Sequence, residues 1–230
     1  MTISESGADV GLEEAGSFRD RSGRIYYSGG EVLRGINEKV LADWKALNST
    51  TFFPRAVSAG KIVRTTEIDP SVLSALDPQR HWSGALRHET IPFISYPYEW
   101  SFGMLKDAAL LHLELLASAL GEGMILKDSS SFNIQWVGSR PVFIDIPSFE
   151  RLAPHTPWTA YLQFCRMFLY PLLLQAYKGV GYHSFLRGNI EGLEPEEMLR
   201  LMSLRDRFRP GVLTHVYLHA KMQSRYAAAD

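Results

Sequence analysis

The chain has 230 residues, of which 46% are hydrophobic and 21% are charged, and its formal net charge at pH 7 is −1. This balance predicts a globular protein, and without a basic run or an acidic tail it argues against nucleic acid or an anionic membrane surface as a partner. The single cysteine, Cys165, excludes an internal disulfide and fits a reducing compartment. We therefore expect a cytoplasmic protein with no signal peptide and no membrane span.

The first part of the chain predicts a small β-rich lobe. Residues 1–16 are polar and rich in Gly, Ser and Glu, which predicts a disordered tail. Within residues 17–96, two apolar runs joined by a Ser-Gly-Gly turn predict a hairpin over 23–36. Asn37 as the N-cap and apolar residues at helical spacing predict a helix over 38–48, and residues 61–68 predict a further strand.

The second part, residues 97–230, predicts a larger helical lobe. Residues 101–120 are apolar around most of a helix, which predicts a buried helix. Residues 158–177 predict another helix, which we expect Pro171 to interrupt. The acidic first turn of Glu194 to Glu197 and the segment 212–226 predict the last helices.

A hairpin with polar groups at its ends is the most informative segment. The stretch LKDSSSFNIQWVGSRPVFIDIPSF predicts two short strands around a Val-Gly-Ser-Arg turn. Asp128 precedes the first strand, Asn133 lies at its start, and Asp145 lies near the end of the second. Turn formation and alternation need none of these polar groups, although each taken singly is an ordinary turn residue. Their combination therefore indicates a site.

This spacing resembles the protein-kinase-like fold, especially its aminoglycoside and choline phosphotransferase branch. There an Asp precedes an Asn by five residues, and a hairpin leads to a second Asp about a dozen residues later. The order of elements before the hairpin, a β-rich lobe, an extended connector and a long buried helix, is also similar over residues 18–150. The resemblance implies an α+β fold with two kinase-like lobes.

The same resemblance implies phosphoryl transfer from ATP, with Mg²⁺, to a small hydroxyl- or amine-bearing acceptor. Such transfer requires neutralised phosphate charge and an acceptor held in line. The resemblance gives Asp128 the role of base or orienting group, and Lys127 that of pairing with the phosphoryl group. It gives Asn133 and Asp145 the role of Mg²⁺ ligands, since this ion prefers oxygen donors.

The expected nucleotide contacts are less well defined. Arg34 is the first candidate and Lys61 the second for the cation that touches the phosphates, with Glu38 or Glu67 as its partner. For Arg34 we favour the structural alternative, an arginine at a strand edge that pairs with Glu31 or Glu38.

Departures from the kinase-like pattern support an alternative without catalysis. Leu126 replaces a usual histidine, Asp145 is followed by Ile146-Pro147 where a glycine is common, and the first lobe has no repeated-glycine loop. The alternative is a catalytically silent, pseudokinase-type binding module. A nucleotidyl transfer or an ATP-independent reaction also stays open.

A second resemblance concerns almost the whole chain. FRDRSGRIYY, LKDSSSFNIQW, PVFIDIPSFERL, TPWTAYLQFCRMFLYPL and HAKMQSRY are similar to the first half of bacterial two-part, nodulation-protein-like class I S-adenosylmethionine-dependent methyltransferases. No strand followed by a glycine-rich turn of the cofactor-binding kind is present here. The resemblance thus implies a methyltransferase domain or protein as a partner, and no methyl transfer by this chain itself.

The remaining reactive side chains fit structural roles better. His112 lies inside the long helix and is expected to be a core histidine, and Cys165 is expected to be a core filler. His215 and His219 are four residues apart but have no third ligand nearby, so we expect a helix face there and no metal site.

Overall fold

The computed structural model describes residues 12–14 and 22–222, and it has a mixed α+β architecture. This confirms the α+β class. The kinase-like arrangement of two lobes and the domain boundaries stay predictions. Within the tail predicted to be disordered, Leu12 and Glu13 form a short strand that pairs with Tyr27 and Tyr26. The rest of that range lies outside the described residues.

A five-stranded antiparallel sheet dominates the first part of the chain. Its order is β1-β2-β3-β5-β4. The strands are β1 Leu12–Glu13, β2 Gly23–Ser28, β3 Glu31–Ile36, β4 Thr65–Ile68 and β5 Gly84–His88. The predicted hairpin is confirmed as β2 and β3, and Gly29 and Gly30 supply the positive φ angles of 57° and 75° that its turn requires.

The strand predicted over 61–68 is shorter than expected. Only Thr65–Ile68 pairs within the sheet, because the preceding residues pair elsewhere. The Val63 N–H donates to the Phe143 carbonyl at 2.9 Å, and the Phe143 N–H donates to the Lys61 carbonyl at 2.9 Å. This short parallel bridge ties the sheet region to the hairpin that carries the predicted site.

Three helices accompany the sheet: α1 Glu38–Asn48, α2 Phe52–Ser58 and α3 Ser71–Ser74. The prediction of α1 is confirmed, including its cap, since the Asn37 side chain accepts from the Val40 N–H at 3.0 Å. Helix α1 buries one apolar face through Val40, Trp44 and Leu47. The sequence did not lead us to predict α2.

The second part is mostly helical around two small strand pairs. Strands β6 and β9 pair with each other, as do β7 and β8. The elements are α4 Phe102–Leu120, β6 Met124–Leu126, β7 Ile134–Val137, β8 Arg140–Phe143, β9 Phe149–Arg151, α5 Tyr161–Phe164, α6 Tyr170–Lys178, α7 His183–Gly188 and α8 Pro195–Leu201. The buried helix α4 and the β7–β8 hairpin are confirmed, whereas the β6–β9 pair was not predicted.

Pro171 does not interrupt its helix, so that prediction is wrong. Helices α5 and α6 are continuous through a π-helical turn over Cys165–Leu169. Pro171 directly follows this turn, in which the Tyr170 N–H donates to the Cys165 carbonyl five residues back, so the regular i→i−4 pattern that a proline disrupts is already replaced there. A second π-helical segment, Val212–Leu218, lies within the last predicted helix, of which residues 223–226 are outside the described range.

One large hydrophobic core connects the sheet to the helices. It includes Ile36 and Leu86 from the sheet, Trp44 from α1, Leu105 from α4 and Phe143 from the hairpin. A smaller cluster on the opposite face of the sheet consists of Tyr26, Leu33, Leu73 and Ala85. The hairpin end is therefore held against the sheet by a continuous apolar interior.

None of the helices between residues 22 and 222 is long and apolar enough to cross a lipid bilayer.

Candidate functional site

The open end of the β7–β8 hairpin brings Asn133 and Asp145 together. The Ile144 N–H donates to the Asn133 carbonyl at 2.9 Å, which closes the hairpin. Ser148, only 1% exposed, then links the two predicted side chains. The Asn133 Nδ2 donates to Ser148 Oγ at 3.2 Å, and Ser148 Oγ donates to Asp145 Oδ2 at 2.5 Å.

Ser148 is a site residue that our sequence interpretation missed. It lies three residues after Asp145, at the end of a single 3₁₀ turn over Ile146–Ser148 that Pro147 helps to begin. The signal was available in the sequence, because Pro147 and Ser148, two and three residues after Asp145, are both residues typical of a turn.

The predicted catalytic loop lies beside this turn. The Lys127 N–H donates to the Ser148 carbonyl at 2.9 Å, which holds residue 127 against the Asp145–Ser148 turn. Asp128 follows directly, and its Oδ1 accepts from the Ser130 N–H at 2.9 Å. One carboxylate oxygen of Asp128 thus stabilises its own loop, as in an ordinary Asx turn.

Arg34 reaches this end of the hairpin from β3. Its Nη1 lies 2.6 Å from Asp145 Oδ1, and the two side chains are 11% and 23% exposed. The predicted partners of Arg34 are wrong, because Glu31 pairs with Arg87 at 3.2 Å, and Glu38 is exposed in the first turn of α1. The sequence separation of 111 between Arg34 and Asp145 explains why local spacing could not reveal this pair.

The charge of Asp145 is set by this pairing. Burial alone would raise the pKa of the carboxyl group, but the Arg34 guanidinium and the hydrogen bond from Ser148 outweigh it and hold the pKa below its usual range. Asp145 is therefore an anion at neutral pH, and the cation that faces it is the guanidinium of Arg34. Each of its carboxylate oxygens already has a partner within the chain.

The other residues proposed for the nucleotide site have partners outside this pair. Lys61 forms an ion pair with Glu114 on α4, and the two side chains are about half exposed. Glu67 accepts from the Trp44 indole N–H at 2.9 Å. Neither contact joins Lys61 or Glu67 to the Arg34–Asp145 pair.

His88 is a second residue that the sequence did not single out. It lies on β5, next to β3, and is only 8% exposed. Burial lowers its pKa to about 3, with a further contribution from the positive charge of Arg34, so the ring is neutral at physiological pH. His88 therefore lies close enough to the Arg34–Asp145 pair for the charges of the pair to affect its pKa.

Across residues 12–14 and 22–222, no three His, Cys, Asp or Glu side chains are grouped so that they could hold a metal ion. The predicted Mg²⁺ ligands are only two side chains, the carboxamide of Asn133 and the carboxylate of Asp145. The Asp145 carboxylate is already paired with the Arg34 guanidinium, so the residues as arranged do not fit a divalent cation.

Two predicted core residues are confirmed. His112 is fully buried, and its Nε2 lies 2.9 Å from Ser129 Oγ. Burial lowers the pKa of His112 to about 3, and its ring stacks on Trp158. Cys165 is also fully buried, and burial raises the pKa of its thiol to about 11, which makes it a poor nucleophile.

The paired histidines near the C-terminus form hydrogen bonds to tyrosines. His215 Nδ1 lies 2.5 Å from the Tyr161 hydroxyl, and His219 Nδ1 lies 3.0 Å from the Tyr170 hydroxyl. These contacts join the segment around Val212–Leu218 to helices α5 and α6. They agree with the structural role that we predicted for this helix face.

Comparison with known proteins gives one similarity that covers nearly the whole chain. No protein-family model matches the sequence. The chain is 36% identical over 210 residues to the nodulation protein NoeA of Rhizobium meliloti (strain 1021), which covers 91% of this chain and 43% of that protein. The chain therefore spans less than half the length of this relative. The predicted resemblance to a nodulation protein is confirmed in this form.

Proposed function

We propose that the chain is a binding module that transfers no phosphoryl group and that serves a methyltransferase part of a longer NoeA-like protein. In this proposal the chain has a kinase-like fold. The order of elements, with an antiparallel sheet followed by a long buried helix and a polar-ended hairpin, supports the kinase-like interpretation.

The Arg34–Asp145 pair is the observation that carries the proposal. In kinase-like phosphoryl transfer, the second Asp must hold Mg²⁺ against the triphosphate. Here that carboxylate faces a guanidinium at 2.6 Å and a buried serine hydroxyl at 2.5 Å. A divalent cation at Asp145 would have to displace or repel Arg34, which costs free energy in a partly buried site. The arrangement therefore favours a silent site.

The similarity to NoeA supports the second half of the proposal. It covers 91% of this chain but only 43% of the relative, so more than half of that protein is left for another unit. The resemblance of the sequence to two-part methyltransferases suggests that this other unit transfers methyl groups. In that arrangement the present chain binds a substrate or positions the partner.

The first test is nucleotide binding and transfer. Purified protein is heated with Mg²⁺ and saturating ATP or GTP, and consumption of the nucleotide is followed with small alcohols and amines as acceptors. We expect no rise in unfolding temperature and no phosphate transfer. Since a ligand at about 100 times its Kd stabilises a protein by about 2.7 kcal/mol, a real nucleotide site would be visible. A saturable rise that Asp145→Asn abolishes would overturn the proposal.

The second test concerns the partner. The part of NoeA that this chain does not cover is expressed as a separate polypeptide and mixed with the present chain. We expect a complex in size-exclusion chromatography and calorimetry. If the two polypeptides do not associate at micromolar concentration, the methyltransferase-serving role is wrong even if the phosphate chemistry is absent.

Phosphoryl transfer to a small molecule is the second candidate function. One observation favours it: Asn133 and Asp145 do meet at the end of the hairpin, through Ser148. For this function Arg34 would have to move from Asp145 to the nucleotide phosphates when ATP binds. The nucleotide test above separates the two candidates.

A further inference from the structure

The longest described helix, α4, carries a row of exposed apolar side chains on its outer face. Leu110, Leu113 and Leu120 are 57%, 39% and 42% exposed, and Ala117 is exposed between them. The opposite face of α4 is buried in the main hydrophobic core, and among the described residues these three leucines do not pack against that core. The packing of a single chain therefore does not explain the row, which we call the α4 stripe.

The α4 stripe has the spacing of a coiled-coil seam. Its members are separated by three, four and three residues, which is the spacing of the a and d positions of a heptad. At about 100° per residue they fall within an arc of about 80°, and the stripe is about 15 Å long. A seam this narrow fits one further helix, because a broader contact would need apolar side chains on its flanks as well.

The α4 stripe is complementary to itself when a second copy of α4 lies antiparallel to it. A two-fold axis midway between Leu113 and Ala117 brings Leu113 opposite Ala117 of the second copy, and Leu110 opposite Leu120 of the second copy. The small side chain of Ala117 then leaves space for the leucine that faces it. Large and small side chains thus interdigitate at the centre, and a pair of leucines closes each end.

The charges at the ends of the stripe favour the same orientation. Lys106 lies four residues before Leu110 and extends the stripe. Within its own chain Lys106 Nζ lies 3.7 Å from Asp107 Oδ1 in an exposed pair, which contributes little. In the antiparallel pair Lys106 lies near the C-terminal end of the other α4, where the helix dipole is negative and the carboxylate of Glu122 follows. A parallel pair would instead bring the two Lys106 side chains together.

The charges at the centre of the stripe permit the pairing. Glu114 flanks the middle of the stripe, so a symmetric pair brings two Glu114 carboxylates towards each other. Each carboxylate forms an ion pair with Lys61 of its own chain. The repulsion between the two carboxylates is therefore largely cancelled by cations that the chain itself supplies.

We propose that the α4 stripe is the contact surface of a symmetric homodimer in which the two α4 helices pair antiparallel. A contact through one helix pair belongs to the small interfaces, which bury less than about 1,200 Å² and are weak. We therefore expect a reversible dimer with a Kd of roughly 10 to 300 μM. This inference goes beyond the proposed function and does not depend on it.

Sedimentation equilibrium of the wild-type protein from about 1 μM to about 500 μM should show a reversible dimer. Leu110→Glu places a carboxylate in the apolar seam and should raise the Kd at least about tenfold. Since Leu110 is exposed, this variant should still fold. Phe208→Glu is the matched control, because Phe208 is 91% exposed and lies outside α4, and it should leave the Kd unchanged. A monomer at every concentration, or equal effects of the two substitutions, would overturn the proposal.

Disulfide cross-linking tests the orientation. Leu110→Cys mixed with Leu120→Cys should form a cross-linked dimer on mild oxidation, because these positions face each other in the antiparallel pair. Leu110→Cys alone should not, since its two copies would be about 15 Å apart along the helix axes, which is too far for a disulfide. The native Cys165 is buried and does not compete. Efficient cross-linking of Leu110→Cys alone would show a parallel pair and refute the antiparallel one.

A different occupant of the stripe would give a different result. If the wild-type protein stays monomeric, but the part of NoeA that this chain does not cover binds it and Leu110→Glu abolishes that binding, the stripe contacts that part and the homodimer is wrong. The result is also separable from the nucleotide test. A dimer that Leu110→Glu weakens stands whether or not the protein uses ATP.

Discussion

Replacing Arg34 by methionine should show how strongly the Arg34–Asp145 pair holds the hairpin to the sheet. Breaking a fully buried ion pair by removing one partner costs about 3–5 kcal/mol, whereas an exposed pair contributes about 0–1 kcal/mol. With side-chain exposures of 11% and 23%, this pair lies nearer the buried limit. We therefore expect Arg34→Met to lower the free energy of unfolding by roughly 2–4 kcal/mol at neutral pH.

The pH dependence of this loss has a defined sign. In the wild type the pKa of Asp145 is lowered, so the stabilisation by its charge is present above the unfolded pKa of about 4 and is lost as the pH falls through the folded pKa. Without Arg34, burial raises the pKa of Asp145, and the carboxyl group takes up a proton at higher pH. The difference between variant and wild type should therefore shrink on going from neutral pH to about pH 4.

The assay is urea denaturation followed by tryptophan fluorescence, with linear extrapolation at each pH. Lys61→Met is the matched control, since it removes the cation of the exposed Lys61–Glu114 pair, with exposures of 40% and 53%. That variant should lose about 0.5 kcal/mol or less. If Arg34→Met is equally mild at neutral pH, the pair does not hold the hairpin in place and the case for a silent site loses its support.

Three further predictions use the same denaturation assay. Gly192→Ala should destabilise the protein by about 2 kcal/mol or more, because φ is +88° and the new Cβ would lie 2.4 Å from a backbone oxygen. Gly188→Ala is the control; it has open space around it and should be neutral or stabilising by up to about 1 kcal/mol. Equal effects of the two substitutions would contradict this. Ser129→Ala should cost about 1–3 kcal/mol by leaving His112 Nε2 unpaired, and a neutral result would show that the bond is not made. Burial lowers the pKa values of His88 and His112 to about 3. The free energy of unfolding should therefore keep its full value above the unfolded pKa of about 6.5 and fall below it by up to about 1.4 kcal/mol per pH unit for each histidine. His88→Leu should reduce this slope.

The elements that the sequence predicted well have strong local signals. The β2–β3 hairpin follows from its Ser-Gly-Gly turn, α1 from Asn37 and its apolar face, and α4 from its length and continuous apolar character. Strand β5, by contrast, was missed. Its sequence GALRH has little strand propensity of its own, and it becomes a strand because β3 and β4 pair with its two edges.

The sequence likewise predicted one part of the candidate site and missed another. Asn133 and Asp145 were expected at one end of the hairpin, and the hairpin register brings them there. The partner of Arg34 was predicted among nearby glutamates, and that was wrong. An ion pair over 111 residues depends on how the sheet packs on the hairpin, which no spacing within the sequence expresses.

The sequence by itself determined the mixed helix and strand content, the hairpin and the polar groups at its open end, because these depend on turns, caps and periodicity within a few residues. Only the tertiary structure decided that Arg34 neutralises Asp145 and that His88 is buried with its pKa lowered. Those features arise where distant segments meet in a low-dielectric interior, and there burial and the nearest charge set the protonation and the partners of each group.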